Sequence, residues 1–286
     1  MPDDLISTDD AIRRLRADPA YAALVRDAYL GRDVDDSCRR FRISGEFAEV
    51  RRILGQRIEG ANVLDVGAGT GISSAAFCAA GAARVVALEP DPSDEVGRGA
   101  MARLRERKFE AIDGVGESLP LPDASMDIVY CRQMLHHARD LDQVLRECAR
   151  VLKPNGIFFA CREHVVDNDQ QLREFLATHP VNRMAGGENA YSLAAYVQAI
   201  RRAGLVVDRV LRPLDSVINA FPIISTQREL DELPAMKLAA KFGLLGRAAS
   251  HMPGATRLVR ARLDRPTPGR MYSFLAHRPG ESKARQ

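Results

Sequence analysis

Apolar positions along the chain follow two rhythms. Residues 9 to 30 carry Ile12, Leu15, Leu24, Val25 and Tyr29 at helical spacing, and after a polar break, GRDVDD, a second helical pattern runs through Phe47, Val50, Ile53 and Leu54. From Asn62 onward, short apolar runs alternate with helical stretches. Strands are predicted over Asn62 to Val66, Ala83 to Leu88, Glu110 to Asp113, Met126 to Cys131, Gly156 to Ala160 and Leu205 to Leu211. Helices are predicted from about Gly71 to Ala80, Gly99 to Lys108, Asp140 to Val151 and Leu193 to Ala203. Pro154 stops the third of these, and Asn155-Gly156 make the turn into the next strand. Such alternation implies an α/β fold, a mostly parallel sheet with helices on both faces. Between Pro213 and Gly269 the alternation gives way to a helical, Pro/Gly-punctuated segment, and one last strand-like run follows from Met271 to Arg278. The expected organisation is a helical cap over 1–60, a core over 61–212 plus 270–280, a lid-like helical insertion over 213–269, and a frayed tail over 281–286.

Composition narrows the class without naming a chemistry. The 286 residues are 46% hydrophobic and 28% charged, with a formal net charge of +3, so the overall field gives no reason to expect a nucleic acid or membrane partner. Five cysteines, Cys38, Cys78, Cys131, Cys148 and Cys161, form no CxxC pair and show no zinc-type His/Cys spacing. The reading is a reduced, cytoplasmic setting with no metal. The N-terminus MPDDLISTDD is acidic where a secretion signal is basic and then apolar, and no apolar run reaches the ~20 residues of a bilayer span.

The stretch VLDVGAGTG, Val63 to Gly71, reads as a strand, a glycine turn and a helix start. Such a turn exposes backbone N–H groups and lets a ligand approach the main chain. A dinucleotide site prefers G-x-G-x-x-G, whereas the spacing here is G-x-G-x-G, and Asp65 stands two residues before the first glycine. A carboxylate there suits a cationic ligand, such as the ammonium and sulfonium of S-adenosylmethionine, better than a pyrophosphate. Glu89, ending the next strand, is placed to accept hydrogen bonds from ribose hydroxyls, a role common to both cofactor classes.

With these residues in view, the chain resembles the class I S-adenosylmethionine-dependent methyltransferases, in the small-molecule branch that includes quinone-biosynthesis enzymes. The resemblance rests on VLDVGAGTG, ALEP at 87–90, GESLPLPDASMDIVYCRQMLHH at 116–137 and RVLKPNG at 150–156, in order and spacing from about Ala61 to Ala160. It implies a Rossmann-like seven-stranded sheet of order 3-2-1-4-5-7-6, the last strand antiparallel and inserted between the fifth and sixth. It also implies cofactor contacts from Asp65, Gly67, Ala68, Gly69, Gly71, Glu89, Pro90, Gly116, Glu117 and Cys131. One departure stands out: where the family usually has an acid for the adenine amino group, this chain has Val115. Two alternatives for that amine are Asp113 and Glu117.

In an open parallel sheet the reactive cleft lies at the carboxyl ends of the strands. Candidate catalytic residues are therefore His136 and His137 after the fourth strand, and Glu163 and His164 after the fifth, with histidine suited to take a hydroxyl proton near neutrality. The polar segment Thr178 to Tyr191 is a candidate acceptor-binding loop through His179, Asn182, Arg183, Tyr191, Glu188 and Asn189. From Ala235 to Leu263 the chain holds Lys237, Lys241, Arg247, Arg257, Arg260 and Arg262 with no acid. That stretch is read first as an exposed lid, with contact to an anionic membrane or an acidic, carrier-linked acceptor as the alternatives. The function expected is methyl transfer to a small-molecule acceptor, foremost at oxygen, by a monomer or homodimer. The competing readings are a C- or N-methyltransferase of a lipid-linked substrate and a silent S-adenosylmethionine- or S-adenosylhomocysteine-binding homologue. A dehydrogenase is disfavoured by the G-x-G-x-G spacing and by Asp65, and a base methyltransferase because DIVYCRQM lacks the NPPY-like turn that stacks a flipped base.

Overall fold

The computed structural model describes residues 5–280, so the tail expected to fray, 281–286, lies outside the described residues. Seven strands form one sheet: β1 (Asn62–Val66), β2 (Arg84–Leu88), β3 (Glu110–Ile112), β4 (Met126–Arg132), β5 (Leu152–Val165), β6 (Val206–Leu211) and β7 (Arg270–His277). Their order is β3-β2-β1-β4-β5-β7-β6, with β7 antiparallel to both neighbours and the other pairings parallel. Successive side chains of a strand face opposite ways, so each buried strand feeds two cores. In β4, Val129 and Cys131 join one cluster while Ile128 and Tyr130 join the other. These strands are apolar almost throughout because both faces are covered.

The cap comprises α1 (Thr8–Ala17), α2 (Ala22–Asp27), α3 (Val34–Arg42) and α4 (Gly45–Leu54). The polar break GRDVDD proves to be a helix start: the Asp33 carboxylate accepts the Asp36 N–H and two acids occupy the first turn of α3. The helix α5 (Ile72–Ala79) follows the glycine turn, and α6 (Arg98–Ala102) is a shorter element than the predicted 99–108. After α7 (Leu141–Val151), the chain forms α8 (Asp169–Thr178), α9 (Pro180–Ala185) and α10 (Leu193–Arg202). The segment Thr178 to Tyr191, read from sequence as a loop, is thus partly helical: His179 caps α9 and Pro180 opens it.

The insertion between β6 and β7 holds α11 (Val217–Ala220), α12 (Gln227–Ser250) and α13 (Pro253–Leu263). The longest, α12, is broken at Gly243, whose φ of 59° leaves the helical region. The insertion's parts behave differently. Buried α11 packs on α4, β5 and β7, whereas α12 and α13 pack chiefly on each other and leave Phe242, Leu244, Leu245 and Leu258 exposed. Among the described residues no helix is long and apolar enough to cross a membrane, and all five cysteines are unpaired.

Candidate active site

A cavity of about 710 Å³ opens at the carboxyl ends of β1, β4 and β5. A slightly larger one, about 820 Å³, lies between α12 and α13, lined by Leu238, Phe242 and Leu258 with Lys237, Lys241 and Arg262, and contains no residue of the sheet. The strand-end cavity is where the sequence motifs meet.

One wall is the glycine turn. Gly67 adopts φ 68°, and a Cβ there would stand 2.3 Å from Met134 Cγ, so both backbone and packing demand glycine. Gly69, at φ 55°, faces open space; the nearest atom to a Cβ at that position would be the Val96 carbonyl oxygen, at 3.7 Å. Together with Ala68, Thr70 and Ser73 they line the cavity beside Asp65. The Asp65 carboxylate is buried and accepts one hydrogen bond from Ser74 Oγ at 2.6 Å. Burial raises its pKa to about 7, against the Ser74 hydrogen bond, which lowers it. Near neutral pH such a carboxyl is only partly ionised, and a neighbouring cation favours its charged form.

Glu89 sits just behind that turn, outside the cavity lining. Its Oε2 accepts the Gly69 N–H at 2.7 Å and its Oε1 the Asp91 N–H at 2.9 Å. Burial raises its pKa, and these two amides oppose the rise. A carboxylate has about four lone-pair sites, so two remain for hydroxyls. Pro90, Gly71, Gly116, Glu117 and Cys131 do not line the cavity. Gly71 is needed for packing, since a Cβ would come 2.6 Å from Phe109. Gly116 packs on Val144, and Cys131 is fully buried, where burial raises its thiol pKa. The two candidate acids for the adenine amine are both engaged. Asp113 holds Arg98 through two bonds of 2.7 and 3.1 Å, and Glu117 accepts the Arg139 N–H at 3.0 Å while Val115 stands half-exposed.

The opposite wall is built from two arginines that sequence reasoning passed over. Arg132 ends β4 and forms a buried two-point ion pair with Glu46 of α4, at 2.6 and 3.0 Å. Its guanidinium also lies over the rings of Tyr29 and Phe41. Arg162 lies in β5, where the register shifts between Ala160 and Glu163 and its own φ is 62°. It donates to the carbonyls of Ile218 and Phe221 at 2.6 and 2.8 Å, while its buried Nε has no hydrogen-bond partner, and burial lowers its pKa. The buried Tyr29 hydroxyl, on the same cavity, likewise has no hydrogen-bond partner. A signal was legible: the apolar runs of both strands close on Cys-Arg, in MDIVYCR and GIFFACR, a cation directly after an apolar run.

The far end is a chamber of imidazoles. The sequence placed Glu163 and His164 after the fifth strand; they lie in it, since β5 continues to Val165 and pairs Glu163 with Tyr272 and His164 with Met271. Fully buried Glu163 accepts the N–H groups of Met134, Leu135 and His136 at 3.1–3.2 Å, and His136 Nδ1 at 2.7 Å. Burial opposes its ionisation, yet these hydrogen bonds hold its pKa below the ordinary value. His164 donates Nδ1–H to the Gly269 carbonyl at 2.8 Å and packs against His136 and Phe175. Burial, with the neighbouring His136, drives its pKa to about 3, so it is a neutral acceptor. His136, His137, His164, His179 and Glu188 all line the cavity.

The remaining acceptor candidates serve other contacts. Asn182 donates to the Leu176 carbonyl and accepts the Glu188 N–H, Tyr191 donates to the Ala138 carbonyl at 2.8 Å, and Arg183 is exposed. The cap lends Leu24, Asp27, Tyr29 and Leu30 to the cavity wall and is tied down elsewhere: the Ile6 N–H bonds the Met184 carbonyl, while Arg13 and Arg16 of α1 grip Glu95 in the loop after β2.

Comparison with known proteins agrees with this geometry. Residues 64–160 match the family model described as a methyltransferase domain. Residues 64–160 thus carry the methyltransferase domain that this family model describes. An uncharacterized methyltransferase of Bacillus subtilis, YcgJ, is 37% identical over 123 residues, 40% of this chain and 45% of that one. A ubiquinone biosynthesis O-methyltransferase of Neisseria meningitidis is 32% identical over 130 residues, covering 41% of this chain and 53% of the relative. The chain thus spans about half the length of the curated relatives it matches. The crystal structure of YcgJ has a TM-score of 0.53 at 21% identity, covering 83% of this chain and 99% of that one. A methyltransferase structure from Mesorhizobium loti gives 0.54 at 17% identity, with 83% and 100% covered. At those identities the structures speak for the fold. The expected sheet order is observed.

Proposed function

We propose that the protein transfers the methyl group of S-adenosylmethionine to a hydroxyl oxygen of a small-molecule acceptor. The observation that carries this reading is that one cavity presents both signs of charge around the glycine turn. Asp65 offers a carboxylate to an ammonium or sulfonium, and Arg162 with Tyr29 offers unsatisfied donors to a carboxylate. An amino-acid end needs both, whereas a pyrophosphate needs neither Asp65 nor its burial.

When bound, the cofactor supplies an electrophilic methyl: the acceptor oxygen bonds to that carbon, the sulfur–carbon bond breaks, and its electron pair stays on sulfur as the thioether S-adenosylhomocysteine. The protein's part is chiefly alignment of acceptor, methyl and sulfur in one line. The hydroxyl proton passes to a lone pair of a neutral imidazole in the chamber. His164, kept neutral by burial and with Nδ1 committed to Gly269, presents Nε2 as that acceptor. The narrow chamber and its polar wall suit a compact hydroxylated molecule.

Calorimetric titration with S-adenosylhomocysteine and 5′-methylthioadenosine, which lacks the amino-acid end, tests the assignment. Tyr29→Phe and Arg162→Gln are expected to weaken S-adenosylhomocysteine about 10-fold or more, as for lost hydrogen bonds to a charged group, and to leave methylthioadenosine unchanged. Equal losses for both ligands, or thermal stabilisation of the wild type by NAD and not by S-adenosylhomocysteine, would overturn it.

A further inference from the structure

The acceptor end of the cavity holds three lone-pair donors that face one another without a proton between them. His136 Nδ1 lies 2.7 Å from Glu163 Oε2, and the two oxygens of this carboxylate also accept the N–H groups of Met134, Leu135 and His136, so it accepts here as well, the ring proton is on Nδ1 and Nε2 carries the lone pair. His137 Nδ1 lies 3.1 Å from the Gly187 carbonyl, which also can only accept, and this fixes the same tautomer. The two Nε2 atoms converge on one oxygen, Glu188 Oε2, at 3.6 and 3.8 Å. Those separations are too long for hydrogen bonds. Glu188 comes from the segment after α9, and its backbone N–H is pinned by Asn182. All three ligand atoms lie within 4.8 Å of one another.

We propose that His136 Nε2, His137 Nε2 and Glu188 bind a divalent transition-metal ion of the zinc class, with a coordination position open to the cavity. Zinc bonds nitrogen and carboxylate oxygen at about 2.0–2.2 Å, which in a tetrahedron sets ligand atoms about 3.4 Å apart. The two nitrogen–oxygen separations, 3.6 and 3.8 Å, lie within a few tenths of an ångström of that spacing. The donor set of two imidazoles and one carboxylate favours zinc, iron or nickel over magnesium or calcium, which take oxygen. The outer contacts are those a metal site requires. A ligating histidine commonly gives its other N–H to a carboxylate or a backbone carbonyl, and here one does each, with Glu163 itself held by three amides. Three protein ligands leave room for an oxygen from outside, as in catalytic rather than structural zinc sites. The site therefore deepens the functional reading above and rests on it for the acceptor: the ion would hold the acceptor's oxygen, restricting acceptors to those with an oxygen able to ligate a metal.

The residues are adjacent in sequence only as the His136-His137 pair. Glu188 arrives from about fifty positions away, so the cysteine and histidine spacing of the chain carries no zinc signature.

The test is calorimetric titration of tag-free, chelator-treated full-length protein with Zn²⁺ and, separately, Mg²⁺, with S-adenosylhomocysteine binding measured on each variant. One zinc per chain is expected. His137→Ala and Glu188→Gln should lower zinc affinity by more than 10-fold while S-adenosylhomocysteine affinity stays within 2-fold of wild type. Glu163→Gln, acting through His136, should lower zinc affinity by about 10–100-fold. Replacing zinc with Co²⁺ should give a visible absorption spectrum that is lost in Glu188→Gln. Absence of zinc binding to the wild type, zinc binding indifferent to both His137→Ala and Glu188→Gln, or tighter binding of Mg²⁺ than of Zn²⁺ would each overturn the site. Zinc bound without S-adenosylhomocysteine would refute the cofactor assignment and leave the metal site standing.

Discussion

Replacing Asp65 with asparagine should stabilise the unliganded protein and weaken it as a binder. The Asp65 carboxyl has a pKa of about 7 in the fold against an ordinary value of 3.8, because burial opposes its charge. Between those values the native state binds a proton that the unfolded chain has released. Stability contributed by the protonated form is therefore fully present below about pH 4 and is lost as pH rises through 7. A shift of roughly three units corresponds to about 4 kcal/mol of penalty for the ionised, ligand-free state at alkaline pH, an upper bound because the surroundings relax. Asn keeps an oxygen for the Ser74 Oγ–H and carries no charge, so it escapes the penalty. At pH 8 Asp65→Asn is expected to raise the melting temperature of the unliganded protein, by roughly 2–4 °C for each kcal/mol recovered. At pH 4 the two proteins should melt within about two degrees of each other, and the difference should widen steadily between pH 4 and 7. The same substitution should weaken S-adenosylmethionine, whose cationic end favours the ionised carboxylate, and in the wild type that affinity should rise between pH 6 and 8. Differential scanning calorimetry at both pH values, with calorimetric titration of the cofactor, reads all of this. An Asp65→Asn protein less stable than wild type at pH 8, or a stability difference that does not change with pH, would refute the burial argument.

Two further substitutions probe the walls of the same cavity. Gly69→Arg sends a long side chain into the open space over the glycine turn, so binding of S-adenosylhomocysteine should vanish while the circular dichroism spectrum is retained; measurable binding would count against the placement of the cofactor. Glu46→Gln leaves Arg132 and Arg162 buried with no acid between them, and denaturant unfolding should show a loss of about 3–5 kcal/mol, the range for a broken buried ion pair; a loss under about 1 kcal/mol would mean that solvent reaches the pair.

The succession of strands and helices along the chain and the glycine turn are written locally in the sequence, while the order of the strands in the sheet came from the resemblance. Strands such as Asn62–Val66 are short apolar runs closed by glycine or charge, and a parallel sheet covered on both faces requires little more than that pattern. The sequence therefore determined the α/β fold, the end of the sheet at which the cavity opens, and the place of Asp65 beside the glycine turn. It did not reveal that β5 runs on through Cys161-Arg162-Glu163-His164, because three polar or charged residues in succession read as a loop. Only in the folded state do these groups find the partners that make burial tolerable: amides for Glu163, carbonyls for Arg162 and His164. The irregular register at Ala160–Glu163 then aims Arg162 and His164 into the cavity. The pairing of Arg132 with Glu46, 86 residues apart, and of His136 and His137 with Glu188 are of the same kind. Local periodicity reports which residues are buried, but the convergence of charges on one point depends on which loops the sheet brings together, and that was decided by the tertiary structure alone.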